Sequence, residues 1–293
     1  MTQSSALTLK NITVRYGEGT PFAMTALDNI NVEFPKGAIT GIIGHTGSGK
    51  STLAMLLNGL LKPTEGKVLL NGTDDIWQSK EFTNQTRFKV GLVFQYPEYQ
   101  LFDETVARDI AFGPKNMGLS KEEIEVRVKK AAEFCGLNDT ILEASPFEIS
   151  GGQKRRAAIA GVLAMNPSVL VLDEPAAGLD PRGREEILGG LLEYREQEQN
   201  SMIIISHSME DIAKYSDYIL VLNEGKVYMF GTVNEIFANA EKLFDAKLDV
   251  PQITKLFIEL KKRNIVSGID VYTVKYAERM ILEELKKRGL YND

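Results

Sequence analysis

The sequence contains little of the chemistry that disulfides, zinc sites and membrane spans require. It has one cysteine, Cys135, and two histidines, which excludes an internal disulfide and argues against a zinc site. No apolar run approaches the ~18 to 20 residues that cross a bilayer. Residues 1–9 also lack the basic start and the long apolar centre of a signal peptide. We therefore expect a cytosolic chain in which Cys135 is inert filler.

An excess of basic residues is also missing. The chain has 34 lysines and arginines against 40 acidic residues, a formal charge of −6, which argues against a nucleic-acid partner. Its 43% apolar and 25% charged residues are typical of a soluble protein. With 293 residues, the chain can form one large domain or a large domain with a small appendage.

The most informative segment is residues 44–51, Gly-His-Thr-Gly-Ser-Gly-Lys-Ser, which fits the phosphate-loop pattern G-x-x-x-x-G-K-[ST]. The apolar run 39–43 predicts a buried strand before it, and apolar residues at helical spacing over 52–61 predict a helix after it. A Gly/Ser-rich turn that matches by chance is the alternative. The flanking strand and helix argue against it, because they are the context that a phosphate loop requires.

The residues of this loop suit a triphosphate. Gly44, Gly47 and Gly49 allow the backbone to turn successive N–H groups inward, at the positive end of the helix dipole. Lys50 would meet the β- and γ-phosphates, and the Ser51 hydroxyl would bind Mg²⁺.

Two carboxylates close another apolar run. Asp173 and Glu174 follow residues 169–172, which read as a buried strand. Acids at such strand ends hold Mg²⁺ and activate water in nucleoside triphosphatases. We expect Asp173 to be the carboxylate on the metal and Glu174 to be the general base that orients the hydrolytic water.

Polar residues also follow two further predicted strands, and each of them has two alternative roles. Gln95 follows a predicted strand at 90–94, where it would touch Mg²⁺ or the attacking water, or only anchor a loop. His207 follows a strand at 202–205 and would contact the γ-phosphate or the water, or be a structural histidine. The pattern by itself leaves both alternatives open.

The amino-terminal segment has the alternating pattern of antiparallel strands. Apolar residues alternate over 7–16, with an irregularity, and again over 30–34, with a loop at 17–25 between them. Tyr16 would either stack on a purine ring or pack on its own sheet, and the pattern favours neither.

Residues 103–163 differ from the rest, because their apolar residues recur at helical spacing without a convincing strand. We predict a helical insertion into the α/β core. It ends in Ser150, Gly151, Gly152 and Gln153, where Ser150 would cap the next helix and the glycines would leave N–H groups open to an anion. A simple capped turn is the alternative for this stretch alone.

The composition changes again at residue 243, and two stretches near the carboxyl end have apolar residues at the spacing of amphipathic helices. We predict a nucleotide-binding domain over 1–242 and a dimerisation extension over 243–293. Packing of the two stripes on the chain's own core is the alternative. The stripes include Leu256, Phe257, Leu260, Ile281 and Leu285.

Together these motifs resemble the full set of an ATP-binding cassette (ABC) ATPase. The set comprises the phosphate loop, Gln95, Ser-Gly-Gly-Gln at 150–153, Asp173-Glu174, Gly178-Leu179-Asp180 and His207. Segments 44–52, 93–102 and 158–165 resemble more closely one of the two ATPase subunits of energy-coupling factor transporters, the A-prime type. The resemblance covers essentially the whole chain, although Ile149 stands where the superfamily usually has Leu.

The resemblance implies an α/β fold: an ABC-type phosphate-loop core with an antiparallel β subdomain, a helical subdomain and a small C-terminal extension. It implies ATP hydrolysis, with Mg²⁺, coupled to uptake of vitamins or transition-metal ions. It makes Glu174 and His207 catalytic, and Ser51, Gln95 and Asp173 metal ligands. The residues that it assigns to ATP are Tyr16, Gly44, His45, Thr46, Gly47, Ser48, Gly49, Lys50, Ser51, Thr52 and Gln95.

The resemblance also implies partners. In this family two cassettes meet head to tail, so the signature of one chain closes over the ATP of the other. The residues expected to face the partner's ATP are Ser150, Gly151, Gly152, Gln153 and Asp180. The expected partners are a second, related cassette, an integral membrane coupling subunit docked near 95–102, and a substrate-binding membrane subunit. A homodimer stays possible, and the chain is expected at the cytoplasmic face of the cell membrane as a peripheral protein.

Two other classes of ATPase share these motifs. DNA-repair and chromosome-organising ATPases usually carry a long coiled coil between the phosphate loop and the signature, and this sequence has none. Ribosome-associated regulatory ATPases normally fuse two cassettes, whereas one phosphate loop occurs here. The sequence therefore favours the transporter subunit.

Overall fold

The computed structural model describes residues 4–266, 268 and 270–287, and these residues form an α/β protein with two β-sheets. The first sheet has four strands in the order β2-β1-β4-β5 and is antiparallel. Its strands are β1 (Ser5–Tyr16), β2 (Met24–Pro35), β4 (Glu65–Leu70) and β5 (Asp74–Asp75). The predicted antiparallel start of the chain is confirmed.

The irregularity predicted within the first strand is a register shift between Leu9 and Ile12. Asn11 has a left-handed backbone there, with φ 51°. Gly66 of β4 crosses this point, and a Cβ on it would lie 2.4 Å from the Asn11 carbonyl oxygen. Only glycine therefore allows the two strands to approach at the shift.

The second sheet has six strands in the order β10-β9-β3-β8-β7-β6. β3, β6, β7, β8 and β9 run parallel, and β10 pairs antiparallel with β9. The bounds are β3 (Ile39–Ile43), β6 (Val90–Val93), β7 (Val169–Asp173), β8 (Ser201–Ile205), β9 (Tyr218–Asn223) and β10 (Lys226–Thr232). Every residue of β3, β6, β7 and β8 is buried, which explains their continuous apolar runs.

The α-helices surround these sheets and build the predicted insertion. Their bounds are α1 (Lys50–Leu57), α2 (Lys80–Lys89), α3 (Val106–Asn116), α4 (Lys121–Phe134), α5 (Asp139–Glu143), α6 (Gly151–Leu163), α7 (Pro181–Glu198), α8 (Met209–Tyr215), α9 (Val233–Phe237), α10 (Ala240–Asp245), α11 (Gln252–Lys262) and α12 (Val274–Lys287). Residues 103–163 form α3 to α6, so the helical insertion is confirmed. A 3-10 turn, Pro97–Gln100, precedes the insertion and packs on α6.

The carboxyl-terminal segment packs partly on the main body. Leu243, Val250 and Tyr272 belong to the main hydrophobic core, and the Tyr272 and Phe237 rings lie 5.6 Å apart. Beyond this contact, Phe257 of α11, with Val271 and Ala277, forms a separate small core. The predicted amphipathic helices are thus present as α11 and α12, while residues 267, 269 and 288–293 of the predicted extension lie outside the described residues.

The structure bears on two predictions made from composition, one about Cys135 and one about membrane-spanning helices. Cys135 is buried, and burial raises the pKa of its thiol to about 12, so the side chain is the inert filler that was expected. None of the helices in the described part of the chain combines the length and the apolar composition that a bilayer-spanning segment needs.

Candidate functional site

The phosphate loop lies between β3 and α1, as predicted. Gly49 precedes the helix with φ 101°, a conformation that L side chains rarely adopt. A Cβ on Gly49 would lie 2.7 Å from the Ala26 carbonyl oxygen, and one on Gly44 would lie 2.4 Å from Ser48 Oγ. The loop is therefore held against β2 and curled on itself at positions where only glycine fits.

Lys50 occupies the centre of the curl. Its Nζ donates to the carbonyl oxygens of Gly44, at 2.6 Å, and His45, at 3.0 Å. Burial lowers the pKa of Lys50, while the charges of Glu174 and Asp173 act in the opposite direction. An ammonium group held at the inner face of a glycine-rich loop is suited to the phosphates of a nucleotide.

Two other residues of the loop differ in their contacts: the His45 ring is hydrogen-bonded to its neighbours, and the Ser48 hydroxyl has no partner among the described residues. The His45 ring lies 3.1 Å from Asn223 Oδ1 and 2.7 Å from the Thr46 carbonyl oxygen, which ties the loop to the end of β9. Ser48 Oγ is buried and has no hydrogen-bond partner among the described residues. A buried polar atom without a hydrogen-bond partner is energetically unfavourable. The Ser48 hydroxyl therefore suits a loop in which a bound ligand supplies the missing hydrogen bond.

Asp173 and Glu174 lie at the carboxyl end of β7, beside the phosphate loop. Asp173 pairs in register with Ile205 of β8. Glu174 leaves the strand with φ 53°, and its N–H donates to the Ile205 carbonyl oxygen at 3.0 Å. A non-glycine residue in this conformation is strained, and such strain is concentrated at functional sites.

Burial governs the protonation of both acids. It raises the pKa of Asp173, which the Ser51 hydroxyl and the Lys50 charge counteract. Burial and then the neighbouring Asp173 charge raise the pKa of Glu174 to about 7. Glu174 Oε1 is buried and has no hydrogen-bond partner among the described residues. A carboxylate with a pKa near neutrality and a free acceptor atom is suited to take a proton from water.

His207 lies close to this acceptor. Its Nε2 is 3.7 Å from Glu174 Oε1, and its side chain is about half exposed. Burial and the Lys50 charge lower the pKa of His207, so the imidazole is neutral at pH 7. The structure thus places His207 beside Glu174 at the carboxyl edge of the parallel sheet, and both alternatives for its role stay open.

The oxygen atoms at this edge fit Mg²⁺. Ser51, at the start of α1, and Asp173 interact directly, and Gln95 follows β6 on the same edge. Within the described residues, no group of three or more His, Cys, Asp or Glu residues forms a metal cage. Mg²⁺ needs no such cage, because it keeps several waters and is usually bound by one or two carboxylates and substrate phosphates.

Tyr16 lies at the end of β1, near the first turn of α1. Its hydroxyl is 3.5 Å from Thr52 Oγ1, and its ring packs partly on the core beneath the four-stranded sheet. Both alternatives for Tyr16 therefore keep support, because the ring is half-buried and adjoins the helix that carries the phosphate loop.

The signature segment lies at the N-terminus of α6, apart from the strand ends. Ser150 Oγ accepts from the Gln153 N–H at 3.3 Å, and Gln153 Oε1 accepts from the Ser150 N–H at 2.9 Å. The predicted cap is confirmed, and Gln153 completes a capping box that the sequence reasoning missed. Ser150 and Gly151 are exposed, with open space around the Gly151 Cα. Asp180 caps α7 by accepting from the Gly183 N–H at 2.7 Å.

Two arginines near the site were missed. Arg184 of α7 is held by Asp211 of α8 at 2.6 Å, and its charge acts to lower the pKa of Glu174. Arg155 of α6 is buried and paired with Glu98. Neither pairing has a local signal, because the partners lie far apart along the sequence.

Comparison with known proteins shows which family the chain resembles. A sequence model of the family described as ABC transporter matches residues 27–177. The chain is 52% identical over 278 residues to the energy-coupling factor transporter ATP-binding protein EcfA2 of Caldanaerobacter subterraneus subsp. tengcongensis, covering 95% of this chain and 97% of the relative. It is 48% identical over 287 residues to the protein of the same name from Clostridioides difficile, with 97% and 99% covered.

Solved structures show the same similarity. CbiO1 from Clostridium perfringens, described as part of the ABC transporter complex cbiONQ, is 38% identical and superposes with a TM-score of 0.73, covering 87% of this chain and 100% of that one. The ATP-binding cassette MJ0796, solved as a dimer in a post-hydrolysis state with ADP and Pi, is 29% identical with a TM-score of 0.70, covering 78% and 98%. The chain therefore belongs to the ABC transporter family of ATPases and, within it, to the ATP-binding proteins of energy-coupling factor transporters.

Proposed function

We propose that this chain hydrolyses ATP as one of two paired cassettes and couples hydrolysis to solute uptake through a membrane partner. The observation that carries the proposal is the largely buried Glu174 carboxylate beside the phosphate loop. Its Oε1 has no hydrogen-bond partner among the described residues and lies 3.7 Å from His207 Nε2. This arrangement supports the role of Glu174 as proton acceptor for the water that attacks a bound triphosphate.

The phosphate loop and its neighbours bind and orient ATP. Lys50 and the loop N–H groups contact the phosphates, and Tyr16 stacks on the adenine. Ser51, Gln95 and Asp173 would hold Mg²⁺, which neutralises charge on the phosphate oxygens when bound. Each of these residues lies on or next to the loop, α1, or the carboxyl edge of the parallel sheet.

Glu174 and His207 carry the proton chemistry in this proposal. Glu174 takes the proton of the attacking water through its free Oε1. His207, neutral at pH 7 because burial lowers its pKa, donates an N–H to the γ-phosphate or to the water. His207 Nε2 and Glu174 Oε1, 3.7 Å apart, are close enough to contact the same water.

A second cassette completes the site. Ser150 and Gly151 are exposed at the N-terminus of a 13-residue helix, which is a site for an anion. We infer that these residues, with Gly152, Gln153 and Asp180, face the ATP of the partner. The structural relative MJ0796 is described as a dimer, which supports the paired arrangement.

A groove beside the 3-10 turn fits an apolar segment of a membrane protein. It has a volume of about 460 Å³ and is walled by apolar side chains and the edge of α6. Phe102 and Phe112 meet edge to face across 5.1 Å, and Phe102 is 59% exposed. The main apolar walls are Leu60, Phe88, Phe94, Phe102, Phe112 and Met165. Exposed aromatic rings beside a groove are characteristic of binding surfaces.

Co-purification tests the proposed function. From detergent-solubilised membranes, the chain is expected to bring down a hydrophobic membrane protein. Phe102→Asp should reduce the recovered amount at least about tenfold, since burying a carboxylate in the groove is costly. Val126→Asp, which changes an exposed apolar residue of α4 outside the groove, is the matched control. Recovery of ribosomes or DNA in place of a membrane protein would refute the transport function.

We further propose that residues 243–293 hold the two cassettes together without ATP. Phe257 is buried in the small core of the extension, but Leu256 is 46% and Val274 73% exposed. Apolar side chains on α11 and α12 therefore remain for a partner. Burying one such side chain contributes about 1.5 to 3 kcal/mol, so a few of them support a persistent contact.

A double variant tests the extension. Leu256→Asp with Val274→Asp should shift the nucleotide-free pair to single chains in size-exclusion chromatography, with ATP binding by each chain unchanged. Both residues are exposed, so the fold should tolerate the changes. A pair that stays as tight as the wild type would show that the extension is not the contact. A related, non-identical cassette is the proposed partner, and the co-expressed pair is the material to use.

The proposed solutes are vitamins or transition-metal ions, as in the family that the chain belongs to. The chain itself would act as a peripheral protein at the cytoplasmic face of the cell membrane. Solute choice would rest with a separate substrate-binding membrane subunit.

A further inference from the structure

One buried arginine joins three functional segments of the chain. Arg155, in the second turn of α6, is 2% exposed. Its Nε and Nη2 donate to the two carboxylate oxygens of Glu98, at 3.1 and 3.2 Å. Its Nη1 donates to the Ala177 carbonyl oxygen, and the guanidinium lies 5.7 Å from the centre of the Tyr96 ring.

Each partner belongs to a different part of the proposed mechanism. Glu98 lies in the 3-10 turn Pro97–Gln100, next to the apolar groove. Ala177 lies in the loop between Glu174 and Asp180, and its N–H donates to the Glu174 carbonyl oxygen at 3.2 Å. Arg155 itself follows Ser150 by five positions on the signature helix. A single planar group thus links the docking groove, the loop after the general base, and the signature.

The residues that follow the 3-10 turn are fixed to the same helical subdomain. The buried carboxylate of Asp109, on α3, accepts from the Phe102 N–H at 3.2 Å and the Asp103 N–H at 3.0 Å. The turn is therefore attached to α6 through Arg155, and the residues that follow it are attached to α3 through Asp109. A displacement of the turn has to move these contacts with it.

We infer that Arg155 is a positioning residue that transmits movement of the docking turn to the loop carrying Glu174 and Asp180. This inference rests on the proposed function, because it assumes ATP hydrolysis driven by a docked membrane partner. Arginine suits the role because its rigid fork binds Glu98 with two donors while a third reaches Ala177. Lysine carries one nitrogen and is unable to span both partners.

Steady-state ATPase kinetics on the pair with its membrane partner test the inference. Arg155→Lys should lower kcat about 10- to 100-fold, as expected when a catalytic loop is misplaced, while KM for ATP changes less than twofold. Arg195→Lys is the matched control, because Arg195 of α7 also pairs with a carboxylate, Asp217, and donates to a backbone carbonyl, Gly37, at the edge of the sheet opposite the phosphate loop. That control should keep wild-type kcat.

A second variant separates transmission from simple stabilisation. Glu98→Gln leaves the contact of Arg155 with Ala177 but weakens the link to the docking turn. It should leave the ATPase of the detached cassette pair near wild type and lower that of the membrane complex. This comparison stands even if Arg155→Lys fails to fold.

A double variant that exchanges the charges of Arg155 and Glu98 can contradict the inference. Arg155→Glu with Glu98→Arg restores the ion pair without the Ala177 contact, so recovery of kcat by the double variant would overturn the inference. Wild-type kcat in Arg155→Lys would do the same. Failure of the proposed function looks different, because the wild-type complex would then lack ATPase activity or lose its dependence on Glu174.

Discussion

Glu174→Gln is expected to bind ATP with wild-type affinity and to lose nearly all turnover. The amide keeps the shape of the side chain but does not take a proton from water, and general-base catalysis contributes about 10²- to 10⁴-fold. Lys50 and the phosphate loop are untouched. The expected loss of kcat is therefore about 100-fold or more, measured as phosphate release, with ATP affinity measured by isothermal titration.

Thermal stability is a second readout for Glu174→Gln. Burial and Asp173 raise the pKa of Glu174 to about 7, which means that the folded protein disfavours the charged carboxylate. A neutral amide removes this unfavourable charge, so thermal stability should not fall. Lys50→Ala is the contrasting variant, because it removes the charge that faces the phosphates and should weaken ATP binding. Wild-type hydrolysis by Glu174→Gln would remove this residue from its role.

Ser150→Ala should impair hydrolysis of the ATP held by the partner chain and spare the site of its own chain. The serine hydroxyl is exposed at the N-terminus of α6, where it is available to a phosphate of the second cassette. Hydrogen bonds to charged groups contribute about 1.5 to 3 kcal/mol, so turnover at the affected site should fall roughly 10- to 150-fold. The measurement uses pairs in which one cassette carries the change, and a photo-crosslinking nucleotide reports on each site.

Two control variants separate the ligand role of Ser150 from its cap. Ser150→Asp keeps a capping side chain but places a negative charge at the partner's phosphates, so it should fold normally and still impair hydrolysis of the partner's ATP. Ser120→Ala removes an equivalent cap from α4, where Ser120 Oγ accepts from the Glu123 N–H at 3.2 Å, and should cost only stability. A defect confined to the chain's own site would contradict the head-to-tail arrangement.

In the C-terminal extension, hydrophobic periodicity predicts the helices but not the burial of individual side chains. The helical spacing of Leu256 and Phe257 predicted one apolar stripe, and the helix is present. In the structure Phe257 is buried within the extension, while Leu256 remains exposed. Periodicity identifies a face of a helix, but which side chains of that face are covered depends on where Val271 and Ala277 fold back.

The sequence by itself determined the features that depend on residues close together in the chain. The strand, loop and helix around Lys50, the cap at Ser150 and the acids that end β7 follow from local backbone chemistry and from hydrophobic periodicity. These features are also the motifs on which the family resemblance depends. That is why the sequence alone predicts the fold class and the family correctly.

Only the tertiary structure decided which distant residues meet. The free, buried Oε1 of Glu174 results from the packing of β7 against β8, and no local pattern encodes its burial or its pKa. The link from Glu98 through Arg155 to Ala177 joins positions 57 and 22 residues apart, and it exists because α6 packs on the 3-10 turn. Contacts of this kind form through desolvation of groups that folding brings together, so their energy and geometry are properties of the packed chain.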